Sequence, residues 1–115
     1  MPKPSLSVLI ADDHPFSRDV VARIATALGH RVTAVDGGHA ALEAAALTDF
    51  DVAVIDRRMP DMDGAAVALA LKNNSRHPRL VALSGDDPND MLPGLFDVVL
   101  QKPVEAAVLA RALLG

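Results

Sequence analysis

Five short apolar runs punctuate the chain: "SVLIA" at 7–11, "RVTAV" at 31–35, "VAVI" at 52–55, "RLVAL" at 79–83 and "VVL" at 98–100. Their apolar residues are nearly continuous instead of alternating, as in strands covered on both faces, so they predict a parallel sheet with helices on either side. The intervening segments carry helical spacing. Phe16, Val20, Ile24 and Leu28 recur every four residues with Val21 beside them, and Gly29 stands where a helix end favours a left-handed residue. Phe16 is expected to lie partly in the core. Residues 38–48 are alanine-rich with Leu42 and Leu47 expected inward, residues 64–73 carry Val67, Leu69 and Leu71, and residues 104–114 carry Val104, Val108, Leu109 and Leu113. Short connections make this a doubly wound (βα)5 α/β fold, one domain over 1–115. The fourth helical segment, "GDDPNDMLPGLF" at 85–96, breaks the pattern with Pro88 and Pro93. An interior proline costs a helix about 3 kcal/mol, so a short or irregular element is expected there.

Composition narrows the partners. The 115 residues are 50% hydrophobic, enough for a single core. Net charge is -4, and the 11 Lys and Arg residues are scattered, so no nucleic-acid partner is expected. There is no cysteine, which excludes disulfides and thiolate chemistry. "MPKPSLSVLIADD" has neither a signal-peptide core nor a membrane span, so a cytoplasmic location without membrane contact is expected.

The charged residues fall at the strand ends. In a doubly wound sheet the reactive crevice opens at the carboxyl ends of the strands. The first run ends at Asp12 and Asp13, the third at Asp56, the fourth at Ser84, and the fifth leads to Lys102. Three carboxylates on one rim raise one another's pKa unless a cation joins them, which points to a hard divalent ion such as Mg²⁺ held by oxygens. Lys102 is then expected to pair with Asp56 at rest, or with an incoming phosphoryl oxygen.

These residues resemble the receiver domain of two-component response regulators, the CheY-like family, whose fold is flavodoxin-like with strand order 2-1-3-4-5. "VLIADDHP" is similar to the family's acidic pair, "VAVIDRRMPDMDG" to its phosphoacceptor loop, "ALSG" to its Ser/Thr element and "LQKPV" to its Lys-Pro element. Four modest motifs in the right order form a specific signal. The resemblance implies that Asp56 takes a phosphoryl group from a phosphohistidine. It also implies Mg²⁺ or Mn²⁺ on Asp13, Asp56 and the Arg58 backbone carbonyl, with Asp12 positioning the metal or its waters. Lys102 and Ser84 would hold phosphoryl oxygens, with Gly85 leaving room for the group. Met59, Pro60 and Gly64 would shape the loop, and the Lys102-Pro103 bond would be cis. The implied partner is a sensor histidine kinase or a histidine phosphotransfer domain. The ending "FDVVLQKPV" resembles the C-terminal receivers of hybrid sensor histidine kinases, with a stand-alone response regulator as runner-up.

Blander readings compete. Asp12 and Asp13 would suit a helix N-cap. Asp61, Asp63 and Gly64 suggest a calcium loop, but the first and twelfth positions would be Met59 and Ala70, so the two acids are expected to cap or start the third helix. His14, His30, His39 and His77 lack metal-ligand spacing and are expected to face solvent. A haloacid-dehalogenase-like phosphohydrolase would want D-x-D-G after the strand, whereas Arg58 stands two past Asp56 and no cap fits the length. Two departures from the family also stand out. Val99 occupies the place of its aromatic switch residue, and 84–102 is about one helical turn short. Both leave the site intact and favour phosphotransfer or stoichiometric binding as output, or a pseudo-receiver that binds without being phosphorylated.

Overall fold

All five apolar runs become strands in the computed structural model, which describes residues 5–73, 77–85 and 94–114. They are β1 (Ser7–Ala11), β2 (Arg31–Val35), β3 (Val52–Asp56), β4 (Arg79–Ser84) and β5 (Val98–Gln101). Helices α1 (Pro15–Ala27), α2 (Gly38–Leu47), α3 (Gly64–Lys72) and α4 (Ala106–Leu114) complete the fold. Every strand pairing is parallel, in the expected order β2-β1-β3-β4-β5. The irregular element expected within 85–96 falls largely on 86–93, outside the described residues.

Strand side chains alternate between faces, so each central strand feeds two cores. Val8, Ile10, Val52, Val54, Val81 and Leu83 join Val21 and Ala25 of α1 and Leu109, Ala112 and Leu113 of α4. Leu9, Ala11, Ala53, Ile55 and Leu80 join Ala41 of α2 and Val67, Ala68 and Leu71 of α3. Val and Ile share the buried strands with Leu and Ala, and the stiff β-branched side chains fit a pleated surface.

The helical stripes need four corrections. Phe16 is 79% exposed, not partly core, because it lies in the first turn of α1, beyond the strand ends, while Val21 and Ala25 make the buried contact. Leu47 is 88% exposed, since α2 ends on it and the inward stripe runs through Ala41, Leu42, Ala44 and Ala45. Leu69 and Val108 also face out, while Val67, Ala68 and Leu71 make the α3 contact and Leu109, Ala112 and Leu113 that of α4.

His30 is the fifth correction: it is buried. Gly29, at φ +92°, closes α1 by donating to the Thr26 carbonyl, and the His30 amide reaches back to Ala25. This Schellman turn directs the chain inward. The ring settles there because its Nδ1 accepts the Leu6 N–H at 3.1 Å, satisfying an amide just before β1. His30→Ala should therefore destabilise the fold by about 1–3 kcal/mol, the cost of stranding a part-buried donor. Urea unfolding checks this, and an unchanged midpoint would contradict it.

Candidate functional site

Alternation along the strands places the two inner carboxylates side by side. β1 and β3 pair with Ala11 opposite Ile55, so the next residues, Asp12 and Asp56, share the face of Ile10 and Val54. Both are buried. Asp13, one residue on, is half-buried at the mouth. Carboxylate oxygens of Asp12, Asp13 and Asp56 come within 4.8 Å of one another.

Lys102 closes the cluster from the far side. Its N–H donates to the Ser84 carbonyl at 2.8 Å, which fixes its backbone at the end of β4. Its Nζ lies 3.2 Å from Asp12 Oδ2 and 3.2 Å from Asp56 Oδ1, so the expected resting pair with Asp56 forms and is shared with Asp12. The Lys102-Pro103 peptide is cis, as the resemblance implies. Ser84, Gly85, Arg57 and Arg58 line the same pocket, about 240 Å³ in volume, with Asp13, Asp56 and Lys102. Five of the expected site residues, Asp13, Asp56, Arg58, Ser84 and Lys102, thus line one crevice at the carboxyl ends of β1, β3, β4 and β5, and Asp12 lies buried behind it against Lys102.

The electrostatics separate the two inner acids. Burial pushes Asp56 up, the Asp12 charge adds to this, and Lys102 offsets only part, so its pKa rises from 3.8 to about 6. Burial also opposes ionisation of Asp12, but hydrogen bonds from Ser17 and the His14 N–H, together with Lys102, outweigh it and hold that acid below its ordinary value. Asp12 is the fixed anion. Asp56 exchanges its proton more readily near neutrality.

Asp12 does not cap α1 in the ordinary sense. His14 is the N-cap and gives no side-chain bond, while Asp12 Oδ1 accepts the His14 N–H at 3.0 Å, just ahead of the helix. Arg18, which the motifs do not single out, donates from Nη1 to the Asp12 carbonyl at 3.0 Å and braces the same turn. Asp63 caps α3 as expected, accepting the Ala65 N–H at 2.8 Å. Asp61 does not: it reaches the first turn of α2, where its two oxygens accept the Gly38 and His39 N–H groups. Both sequence cues were present, an acid in the loop and an uncapped glycine start to α2, but only the tertiary fold joins them.

The donor set fits a hard divalent ion. Three clustered carboxylates, two of them buried against a single ammonium, form an oxygen-rich site with excess negative charge, the chemistry that such ions favour. A family model described as the response regulator receiver domain matches residues 8–114. The chain belongs to that family.

The chain spans only a small part of the curated relatives that it matches. It is 32% identical over 117 residues to the sensory/regulatory protein RpfC of Xanthomonas campestris, covering 95% of the chain but 16% of RpfC. It is 32% identical over 116 residues to the sensor histidine kinase GacS of Pseudomonas protegens, covering 93% of the chain but 13% of GacS. Among solved structures, a CheY-like response regulator receiver domain from Methylobacillus flagellatus superimposes with a TM-score of 0.88 at 28% identity, over 96% of this chain and 98% of that one. The receiver is thus similar to segments of sensor proteins and, in fold, to a separate domain.

Proposed function

We propose that this receiver accepts a phosphoryl group from a phosphohistidine onto Asp56, as one step of a phosphorelay. The observation that carries the reading is the Lys102 ammonium, 3.2 Å from both Asp12 and Asp56, at the edge of a carboxylate cluster that opens into a pocket. An Asp56 oxygen attacks phosphorus, the bond from phosphorus to the donor imidazole nitrogen breaks, and that nitrogen leaves with the electron pair. Lys102 and the Ser84 hydroxyl steady two oxygens of the moving group. Asp12, Asp13, Asp56 and the Arg58 carbonyl would hold Mg²⁺ or Mn²⁺, which when bound neutralises charge on the transferring oxygens. The chain modifies only itself in this reading and is not an enzyme acting on outside substrates.

The partner is a sensor histidine kinase or a histidine phosphotransfer domain. An apolar groove of about 360 Å³ beside the site supports this, since His14 and Lys102 line it and the site alike. Exposed Phe16, with Val20, Pro103 and Val104, gives a docking helix an apolar seat within reach of Asp56. The similarity to segments of RpfC and GacS favours a receiver drawn from a hybrid sensor kinase over a stand-alone regulator. A cytoplasmic location goes with that partner. Among the described residues no helix is long and apolar enough to cross a membrane. Val99 of β5 pairs with Ala82 of β4 as a half-buried aliphatic residue, so output through an aromatic rotamer is absent from the scheme.

Incubation with a divalent ion and acetyl phosphate or phosphoramidate tests the reading. An acid-stable, base-labile adduct is expected; its absence, or turnover of unrelated phosphate esters, would overturn it. Proton competition gives a second check. With the Asp56 pKa near 6 in the metal-free protein, apparent Mg²⁺ affinity should fall as pH drops from 7 to 5, by about tenfold per unit below that value. Amide shifts of Asp13 and Asp56 during Mg²⁺ titration measure it, and an affinity flat across that range would count against ligation by Asp56.

A further inference from the structure

The loop between β3 and α3 is held from outside as well as from its two ends. At its neck the Gly64 N–H donates to the Arg57 carbonyl at 2.8 Å, and Met59 is buried among core residues. Its outer part reaches a different element. Asp61 Oδ1 accepts the Gly38 N–H at 3.1 Å, Oδ2 accepts the His39 N–H at 3.0 Å, and His39 Nδ1 sits 2.9 Å from the same oxygen. α2 has no cap of its own: Gly37 offers no side chain, and the first turn holds no acid. The amides of His39 and Gly38, with the His39 ring, hold the Asp61 carboxyl down to about 2, so it stays ionised at any working pH.

The glycines of α2 are shaped to this contact. A Cβ on Gly37 would come within 2.9 Å of both Asp61 carboxylate oxygens. One on Gly38 would come within 2.5 Å of Met62 Cβ and 2.9 Å of Val67 Cγ2. Two successive backbone positions at the start of α2, Gly37 and Gly38, therefore approach the loop and α3 more closely than a side chain would allow. Between the neck and this clamp lie only residues 58–60, and the first of them is Arg58.

We propose that Asp61 is a positioning residue for phosphotransfer, clamping the loop to the first turn of α2 so that the Arg58 carbonyl is fixed as a ligand for the divalent ion. This rests on the reading of the Asp56 site given above. A residue that only capped α2 would change stability and leave metal binding alone. A residue that orients a ligand changes metal affinity, by about tenfold when such supports are removed.

The test uses Mg²⁺ titrations of the 115-residue chain, followed by amide shifts without a phosphodonor and by adduct formation with acetyl phosphate. Asp61→Ala should weaken Mg²⁺ about tenfold, with the rate at saturating Mg²⁺ within about twofold of wild type. Asp61→Asn, which keeps one acceptor oxygen, should fall between and serves if the alanine variant folds poorly. Gly37→Ala should weaken Mg²⁺ in the same direction, yet add little to Asp61→Ala, because the added methyl group acts by displacing that carboxylate. Faster hydrogen exchange at Gly38, His39 and Gly64 in metal-free Asp61→Ala would support the clamp. Wild-type Mg²⁺ affinity in the Asp61 variants, with or without lower stability, overturns it. A wild-type chain that neither binds Mg²⁺ nor forms the adduct defeats the phosphoacceptor reading itself, and the clamp with it.

Discussion

Asp56→Asn is expected to abolish the base-labile adduct and, at the same time, to make the metal-free protein more stable at pH 7. The first effect follows from chemistry: the amide lacks the anionic oxygen that attacks phosphorus, so adduct formation should fall about a thousandfold or more. The second follows from electrostatics. The folded state raises the Asp56 pKa from 3.8 to about 6, so it favours the protonated acid. That preference stabilises the fold fully below pH 3.8 and is lost as pH rises through about 6, leaving a penalty at neutrality. A shift of this size in a sealed interior would be worth about 3 kcal/mol, and screening at the open rim reduces it to about 1–2 kcal/mol. Asparagine carries no charge and escapes the penalty, while Lys102 keeps Asp12 as its partner. Urea unfolding without divalent ions should therefore show the variant more stable at pH 7 and the gap closing toward pH 4. An adduct that survives the substitution would remove Asp56 from its role, and equal stabilities at pH 7 would mean that the carboxylate is better solvated than its surroundings imply.

That conflict between stability and reactivity was legible in the sequence. An apolar run ending in an acid, "VAVID", announces a carboxylate that the surrounding burial disfavours. Its neighbours were legible too, because the strand period of two fixes which face Asp12 and Asp56 share once both strands are recognised. What escaped depended on partners distant in the chain. Periodicity marked Phe16 as part of an apolar stripe, but it carries no information on where α1 overhangs the sheet. His30 read as a surface residue because the amide that it satisfies belongs to Leu6, 24 residues earlier. Asp61 read as an α3 residue because local capping rules favour the nearest helix, whereas the orphan amides that recruit it lie 22 and 23 residues upstream. For His30 and Asp61 a backbone group left over by one element is completed by a side chain from another.

Gly64→Ala should be the most damaging substitution outside the carboxylates and Lys102, and for a reason of packing alone. The backbone at Gly64 is not left-handed, so alanine suits its dihedral angles. The difficulty is space: a Cβ there would lie 2.4 Å from the Asp56 carbonyl oxygen and 2.9 Å from Arg57 Cα. These are backbone atoms at the end of a fully buried strand, with no flexible side chain to swing aside. Either α3 retreats, breaking the Gly64 N–H bond to the Arg57 carbonyl, or the end of β3 shifts and carries Asp56 with it. Overpacking of this kind costs about 1–3 kcal/mol. The functional loss should be larger, since misplacing a reacting group by about 1 Å can cost about a hundredfold in rate. Adduct formation from acetyl phosphate, compared with urea unfolding of the same variant, separates the two effects. A folded variant with a wild-type rate would show that the close approach of α3 to β3 does not govern the position of Asp56. A rate lost in proportion to stability would point to the same conclusion. A rate that collapses while most of the stability remains is the expected result, because the strain falls on the peptide that carries Asp56.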